Sequence, residues 1–166
     1  MDTVKFAGNP VHIIGKLPVA GEMAPDFTLT GQDLSDMKLS DFKGSRVVLS
    51  IFPSLDTDVC AASVRHFNVE ASQLPDTKII NVSMDLPFAA KRFCTVNGIE
   101  NVSTGSGFRS DFGKVYGFEI LDGPLRGLYA RGLVVIDRDG RVLGTSLCED
   151  ITQEPDYDFA KKLLTE

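Results

Sequence analysis

The order of apolar segments predicts an α/β fold, one mixed sheet flanked by helices. Three observations carry this. The run RVVLSIF (46–52) is almost continuously apolar, as a central strand covered on both faces would be. Cys60, Val64, Phe67, Ala71 and Leu74 fall at offsets of 0, 4, 7, 11 and 14, which is one stripe of an amphipathic helix. The remaining segments follow as hairpin, β, β-α, β-α and finally β-β-α, an alternation that packs helices on a sheet.

In chain order, VKFAG and VHIIG, split by an Asn-Pro turn signal, read as a short hairpin. APDFTL (24–29) and RVVLSIF read as strands, the second in mid-sheet. The helix that carries the stripe begins near Cys60, which places that thiol on the buried edge of its first turn. KIINVSM (78–84) is a strand, and Asp85 and Pro87 read as cap and first-turn signals for a helix through PFAAKRFCTVNG, with Cys94 late in it. SDFGKVYG is a short helical candidate. GLVVID and RVLGTSL flank the turn RDG as a hairpin, and EPDYDFAKKLLTE closes the chain as a helix. STGSGF, whose Gly105 and Gly107 lack the third glycine and helix of a nucleotide fingerprint, reads as a loop.

Composition bounds the chemistry. The 166 residues fit a single domain spanning 1–166, long enough to bury about two-thirds of the unfolded surface without disulfides. A net charge of -6, with no block of either sign, argues against a nucleic-acid or anionic-membrane partner. The N-terminus lacks a basic start with an apolar core, and no apolar run approaches the roughly 18 residues of a membrane span. The reading is a soluble, cytoplasmic protein. Three cysteines are too few for a secreted disulfide framework, so reactivity or simple burial explains them.

The strand-to-helix turn PSLDTDVC (53–60) is where chemistry is expected. A helix N-terminus presents unpaired N–H groups and the positive end of the dipole, which favour a thiolate over a thiol. Pro53 narrows the loop's conformations and shields one side, and Thr57, three residues before Cys60, can bring its hydroxyl near the sulfur and hold an incoming oxygen. Asp56 and Asp58 would oppose a thiolate if they pointed inward, so a cation is required, from Arg65, Arg109 or Arg131. The plainer alternative makes Cys60 a small buried hydrophobe and Thr57 a helix cap.

The pattern of Pro53, Thr57 and Cys60 resembles the active-site signature of the peroxiredoxins. SLDTDVCAASVRHFN, DLPFAAKRFC, DGPLRGLYARGLVVID and EPDYDFA are similar, in the same order, to the thiol peroxidase branch of that family, of the two-cysteine type. The likeness runs from GNPV near residue 8 to the last helix.

The resemblance implies a thioredoxin-like fold with an N-terminal hairpin, a homodimer, no cofactor and no metal. It implies reduction of hydrogen peroxide and organic hydroperoxides with electrons from thioredoxin. Carried over residue by residue, Cys60 attacks the peroxide, Thr57 and Pro53 form the pocket, Arg131 is the cation beside the sulfur, and Cys94 resolves the sulfenic acid in an intrachain disulfide. Asp58 departs from the family pattern, which favours a small or neutral residue there. Without the resemblance, Cys94 would read as helix packing in the face of Ala90, and Arg131 as a surface charge. Cys148 in TSLCED has no family role; a structural thiol is the reading, with resolution across subunits as the alternative. His12 and His66 are too few and too separated for a zinc site. Two rival functions are a thiol:disulfide oxidoreductase, against which Thr57 stands where a second cysteine would be, and a thiol-based redox sensor.

Overall fold

A computed structural model describes residues 2–165 of the chain. The expected N-terminal hairpin is present. Strands β1 (Asp2–Phe6) and β2 (Asn9–Ile14) pair antiparallel with Val4 opposite Val11. The reversal uses Ala7 and Gly8 at φ 50° and 87°, and the Asp150 carboxylate accepts hydrogen bonds from both of their N–H groups. The hairpin stays apart from the main sheet. It forms a three-stranded sheet with a short strand, β8 (Glu119–Ile120).

The main sheet has seven strands. They are β3 (Thr28–Thr30), β4 (Asp36–Lys38), β5 (Arg46–Ile51), β6 (Thr77–Ser83), β7 (Ser103–Ser106), β9 (Gly132–Ile136) and β10 (Val142–Leu147), in the spatial order β10-β9-β5-β6-β7-β3-β4. As its apolar run requires, β5 lies inside the sheet, parallel to β6 and antiparallel to β9. Alternation along the strands splits the core in two. Val48, Ile79, Leu133 and Val135 face one layer, while Val47, Leu49, Ile51, Ile80, Val82, Val134 and Ile136 face the other.

Helices α1 (Asp58–Ala71), α2 (Pro87–Asn97) and α4 (Tyr157–Thr165) cover the first layer through Val64, Phe67, Ala90, Ala160 and Leu164. The hairpin and the short helix α3 (Phe112–Tyr116) cover the second through Val4, Val11, Phe112 and Tyr116. Glu166, the last residue of the expected closing helix, lies outside the described residues.

Four local expectations change. The strand in APDFTL shrinks to Thr28–Thr30, because Asp26 turns its carboxylate onto the N–H groups of Phe27 and Ser40 instead of extending the ladder. Helix α1 stops at Ala71, so Leu74 packs from the turn that follows. The first four residues of STGSGF form a strand rather than a loop: β7 runs parallel to β6, and Gly105 is needed because a Cβ there would lie 2.8 Å from the Leu29 side chain. Asp85 does not cap α2. Leu86 takes the N-cap position without a side-chain bond, and Pro87 opens the helix as expected.

Candidate active site

The turn from β5 into α1 carries the candidate thiol at the end of a central strand, a position where sheets of this kind expose chemistry. Thr57 is the N-cap of α1. Its hydroxyl accepts a hydrogen bond from the Cys60 N–H at 3.4 Å and donates to the Ser54 carbonyl at 3.1 Å. The cap reading of Thr57 holds, and the residue is exposed beside a buried Pro53. Cys60 is completely buried.

Arg131 reaches Cys60 from the other side. It sits just before β9, is 2 % exposed, and its Nη2 donates to the Cys60 sulfur at 3.1 Å. Its Nε donates to the Ile151 carbonyl at 2.9 Å, which fixes the plane of the guanidinium. Nη1 is buried and has no hydrogen-bond partner among the described residues. A guanidinium this buried needs electron-rich partners, and the Cys60 sulfur and the Ile151 carbonyl are the two it has among the described residues. The surface-charge reading of Arg131 is overturned by its burial.

The other two candidate cations are elsewhere. Arg109 donates to the Thr30 hydroxyl at 3.0 Å, pairs with Asp36 and lies over the Phe108 ring, and Arg65 is exposed on α1. Asp56 and Asp58 are exposed as well, so solvent screens both from the sulfur.

Cys94 lies on α2 in the same apolar layer as Cys60, on the face it shares with Ala90. The two thiols are not bonded to each other; all three cysteines are free. Burial pushes the Cys94 thiol up, with the Gln32 side chain partly opposing it, so it is protonated near neutral pH. Its carbonyl accepts from Gly98 N–H and, at 2.9 Å, from Ile99 N–H, with Gly98 in the left-handed conformation. Cys94 therefore belongs to the last turn of α2, the part of a helix that opens most readily.

Cys148 lies behind Arg131. Its N–H donates to the Arg131 carbonyl and its sulfur to the Glu154 carbonyl at 3.6 Å. Burial pushes its thiol up to about 11, against a smaller opposing pull from Arg131. His12 pairs with Asp122, while His66 pairs with Glu70 and stacks on Tyr157 with centroids 3.7 Å apart. No group of three potential metal ligands occurs among the described residues.

The sequence reading missed the part that three residues play in this site: Ser54 and Ile151, which it gave no role, and Asp85, which it read as a helix cap. Asp85 accepts from the Leu55 N–H at 2.7 Å and from the hydroxyls of Ser54 at 2.8 Å and Ser83 at 2.7 Å. No periodicity marks such residues, because their roles are set by loops that meet only in the folded chain.

A thiol on a helix N-terminus of a mixed α/β sheet, held by a buried guanidinium, defines a thiol-based redox protein. The chain belongs to the Redoxin family, whose profile matches residues 19–161. It is 49% identical over 160 residues to a thiol peroxidase of Mycobacterium tuberculosis, covering 96% of each chain. Among solved structures it is similar to a peroxiredoxin-like protein from Aquifex aeolicus (TM-score 0.92, 37% identity, 98% of this chain and 96% of that one). A thiol peroxidase from Chromobacterium violaceum is also similar (TM-score 0.91, 25% identity, 98% and 95%). No helix among the described residues is long and apolar enough to cross a membrane.

Proposed function

We propose that this redoxin is a thiol peroxidase that reduces hydrogen peroxide and organic hydroperoxides through Cys60, resolves through Cys94 and is recycled by thioredoxin. The observation that carries the reading is the 3.1 Å contact between Arg131 Nη2 and the Cys60 sulfur inside a water-excluded layer. The likeness to thiol peroxidases over nearly the full chain supports it.

In the first step the Cys60 thiolate attacks one peroxide oxygen and the O–O bond breaks. The other oxygen leaves as alkoxide or hydroxide, takes a proton and departs as alcohol or water, leaving Cys60 as a sulfenic acid. Charge develops on the leaving oxygen as that bond stretches. Arg131 Nη1, a buried donor with nothing yet to bond, suits that oxygen, and a preorganised donor acts most strongly where water is excluded. Thr57 holds the start of α1 in register and lines the approach with Pro53.

In the second step the Cys94 sulfur attacks the Cys60 sulfenic acid. An S–S bond forms, the S–O bond breaks and water leaves. Cys60 and Cys94 start on separate helices, so the last turn of α2 or the first of α1 must open for the sulfurs to meet. In the third step two thiols of thioredoxin exchange with the disulfide, returning both cysteines reduced and thioredoxin oxidised.

A cytoplasmic homodimer completes the proposal. Leu86 and Phe88, 49% and 66% exposed where α2 begins, are apolar surface that a second copy would cover.

Cys60→Ser tests the assignment, because an alkoxide does not form near neutral pH whereas a thiolate does. Peroxide consumption with thioredoxin and its reductase should fall to background. Turnover above a trace would remove Cys60 from the mechanism.

A further inference from the structure

Asp85 joins the two segments that carry the reacting cysteines. It stands between β6 and α2, one residue ahead of the N-cap of the helix that holds Cys94. Its carboxylate nonetheless reaches back to the Cys60 loop, taking the Leu55 N–H on Oδ2 at 2.7 Å and the Ser54 hydroxyl on Oδ1 at 2.8 Å. Ser83 donates to Oδ2 at 2.7 Å, and Ser106 holds the Asp85 carbonyl at 2.6 Å. Ser54 in turn offers its carbonyl to the N–H and hydroxyl of Thr57, whose oxygen takes the Cys60 N–H. One chain of hydrogen bonds therefore runs from the start of α2 to the residue that bears the sulfur. No cap role explains Asp85, since its carboxylate bonds nothing in α2.

We propose that Asp85 is a positioning residue that clamps the Cys60 loop to the root of the Cys94 helix and so sets how long the Cys60 sulfenic acid survives before Cys94 reaches it. This rests on the mechanism proposed above. Hydrogen bonds to a carboxylate are stronger than those between neutral groups, and the Leu55 N–H has no freedom to turn toward another partner. While the clamp is closed, the two segments stay in their resting register and the sulfenic acid is exposed to a second hydroperoxide. That reaction moves one oxygen to sulfur, gives a sulfinic acid and releases alcohol or water. When the clamp opens, the Cys60 loop and the first turn of α1 are free to shift and Cys94 closes the disulfide. Asp85 thereby sets the balance between resolution and over-oxidation.

Asp85→Asn keeps the size and removes the charge. Ser54→Ala removes one partner and leaves the carboxylate, so it tests the same clamp in a chain with a smaller folding defect. The chain has no tryptophan, so the steps are followed by rapid mixing with hydrogen peroxide, quenching with an alkylating reagent and mass spectrometry. In Asp85→Asn, disulfide formation from the sulfenic acid should accelerate about tenfold, the size of effect expected from losing one charge-assisted hydrogen bond. The sulfinic acid formed per sulfenic acid under excess peroxide should fall in parallel. Ser54→Ala should move both quantities the same way by less. The double variant should add little to Asp85→Asn, because both act on one interaction. Unchanged partition in both variants would overturn the proposal. So would slower resolution with more sulfinic acid, which is what general loosening of the site would give. If the wild type itself forms no Cys60–Cys94 disulfide, the mechanism fails rather than the clamp; if it does and the partition does not move, the clamp alone fails.

Discussion

The Arg131 guanidinium and the Cys60 sulfur lie 3.1 Å apart across 71 residues of sequence, both in the buried layer between the sheet and its helices. Arg131→Ala removes the donor and the charge. The second-order reaction of Cys60 with hydrogen peroxide should slow by ~10²-fold or more, as for loss of one preorganised donor to a developing oxyanion. Arg131→Lys restores charge but cannot bond Ile151 and Cys60 in one planar fork, so it should recover only a small part. A normal rate in both variants would take Arg131 out of the chemistry.

Cys148 is predicted to be a structural thiol. Its thiol is pushed up to about 11 by burial, so at neutral pH it should alkylate far more slowly than Cys60, and Cys148→Ser should keep thioredoxin-dependent turnover. Mass spectrometry after a short exposure to iodoacetamide separates the sites. Rapid labelling at Cys148, or turnover lost in the variant, would give it a catalytic role.

Gly107 faces Tyr129. A Cβ there would lie 1.9 Å from the Tyr129 hydroxyl oxygen and 2.9 Å from the ring carbon that bears it. Gly107→Ala should destabilise by about 1–3 kcal/mol in denaturant melts, the range for overpacking a filled core. Adding Tyr129→Phe removes the oxygen and should restore part of that loss.

Strand β5, the stripe of α1 and the hairpins were legible because their patterns repeat over several residues. Cys60 and Thr57 were legible because a helix start has a local signature. STGSGF was not, since its small residues lack strand character and its place in the sheet depends on Leu29, some seventy residues earlier. The charge balance made Arg131 one of three candidates and the resemblance chose it, while its burial, the bonds of Asp85 and the Ile151 carbonyl needed the fold. A charge before a strand has no pattern of its own until the loops around it close.

Asp150 provides a pH dependence. Hydrogen bonds from Thr152, Gly8 and Ala7 hold its carboxyl down at about 2, against roughly 3.9 for a free aspartate. A folded value below the unfolded one gives stability that is present above about pH 4 and lost as pH falls toward 2. Denaturation midpoints measured from pH 5 to 2 should therefore fall less steeply in Asp150→Asn than in the wild type. Parallel curves would show that the carboxylate does not hold the hairpin turn.

The mechanism is tested most directly by locating the bond that forms when the reduced protein meets one equivalent of hydrogen peroxide. Non-reducing denaturing gels followed by peptide mapping should find a chain that is not covalently dimerised, with Cys60 and Cys94 joined in one peptide pair and Cys148 free. Cys94→Ser should still consume one equivalent and stop at the Cys60 sulfenic acid, without turning over with thioredoxin. A Cys60–Cys148 bridge, covalent dimers through Cys148, or full turnover by Cys94→Ser would contradict the account and return Cys94 to a packed position on α2.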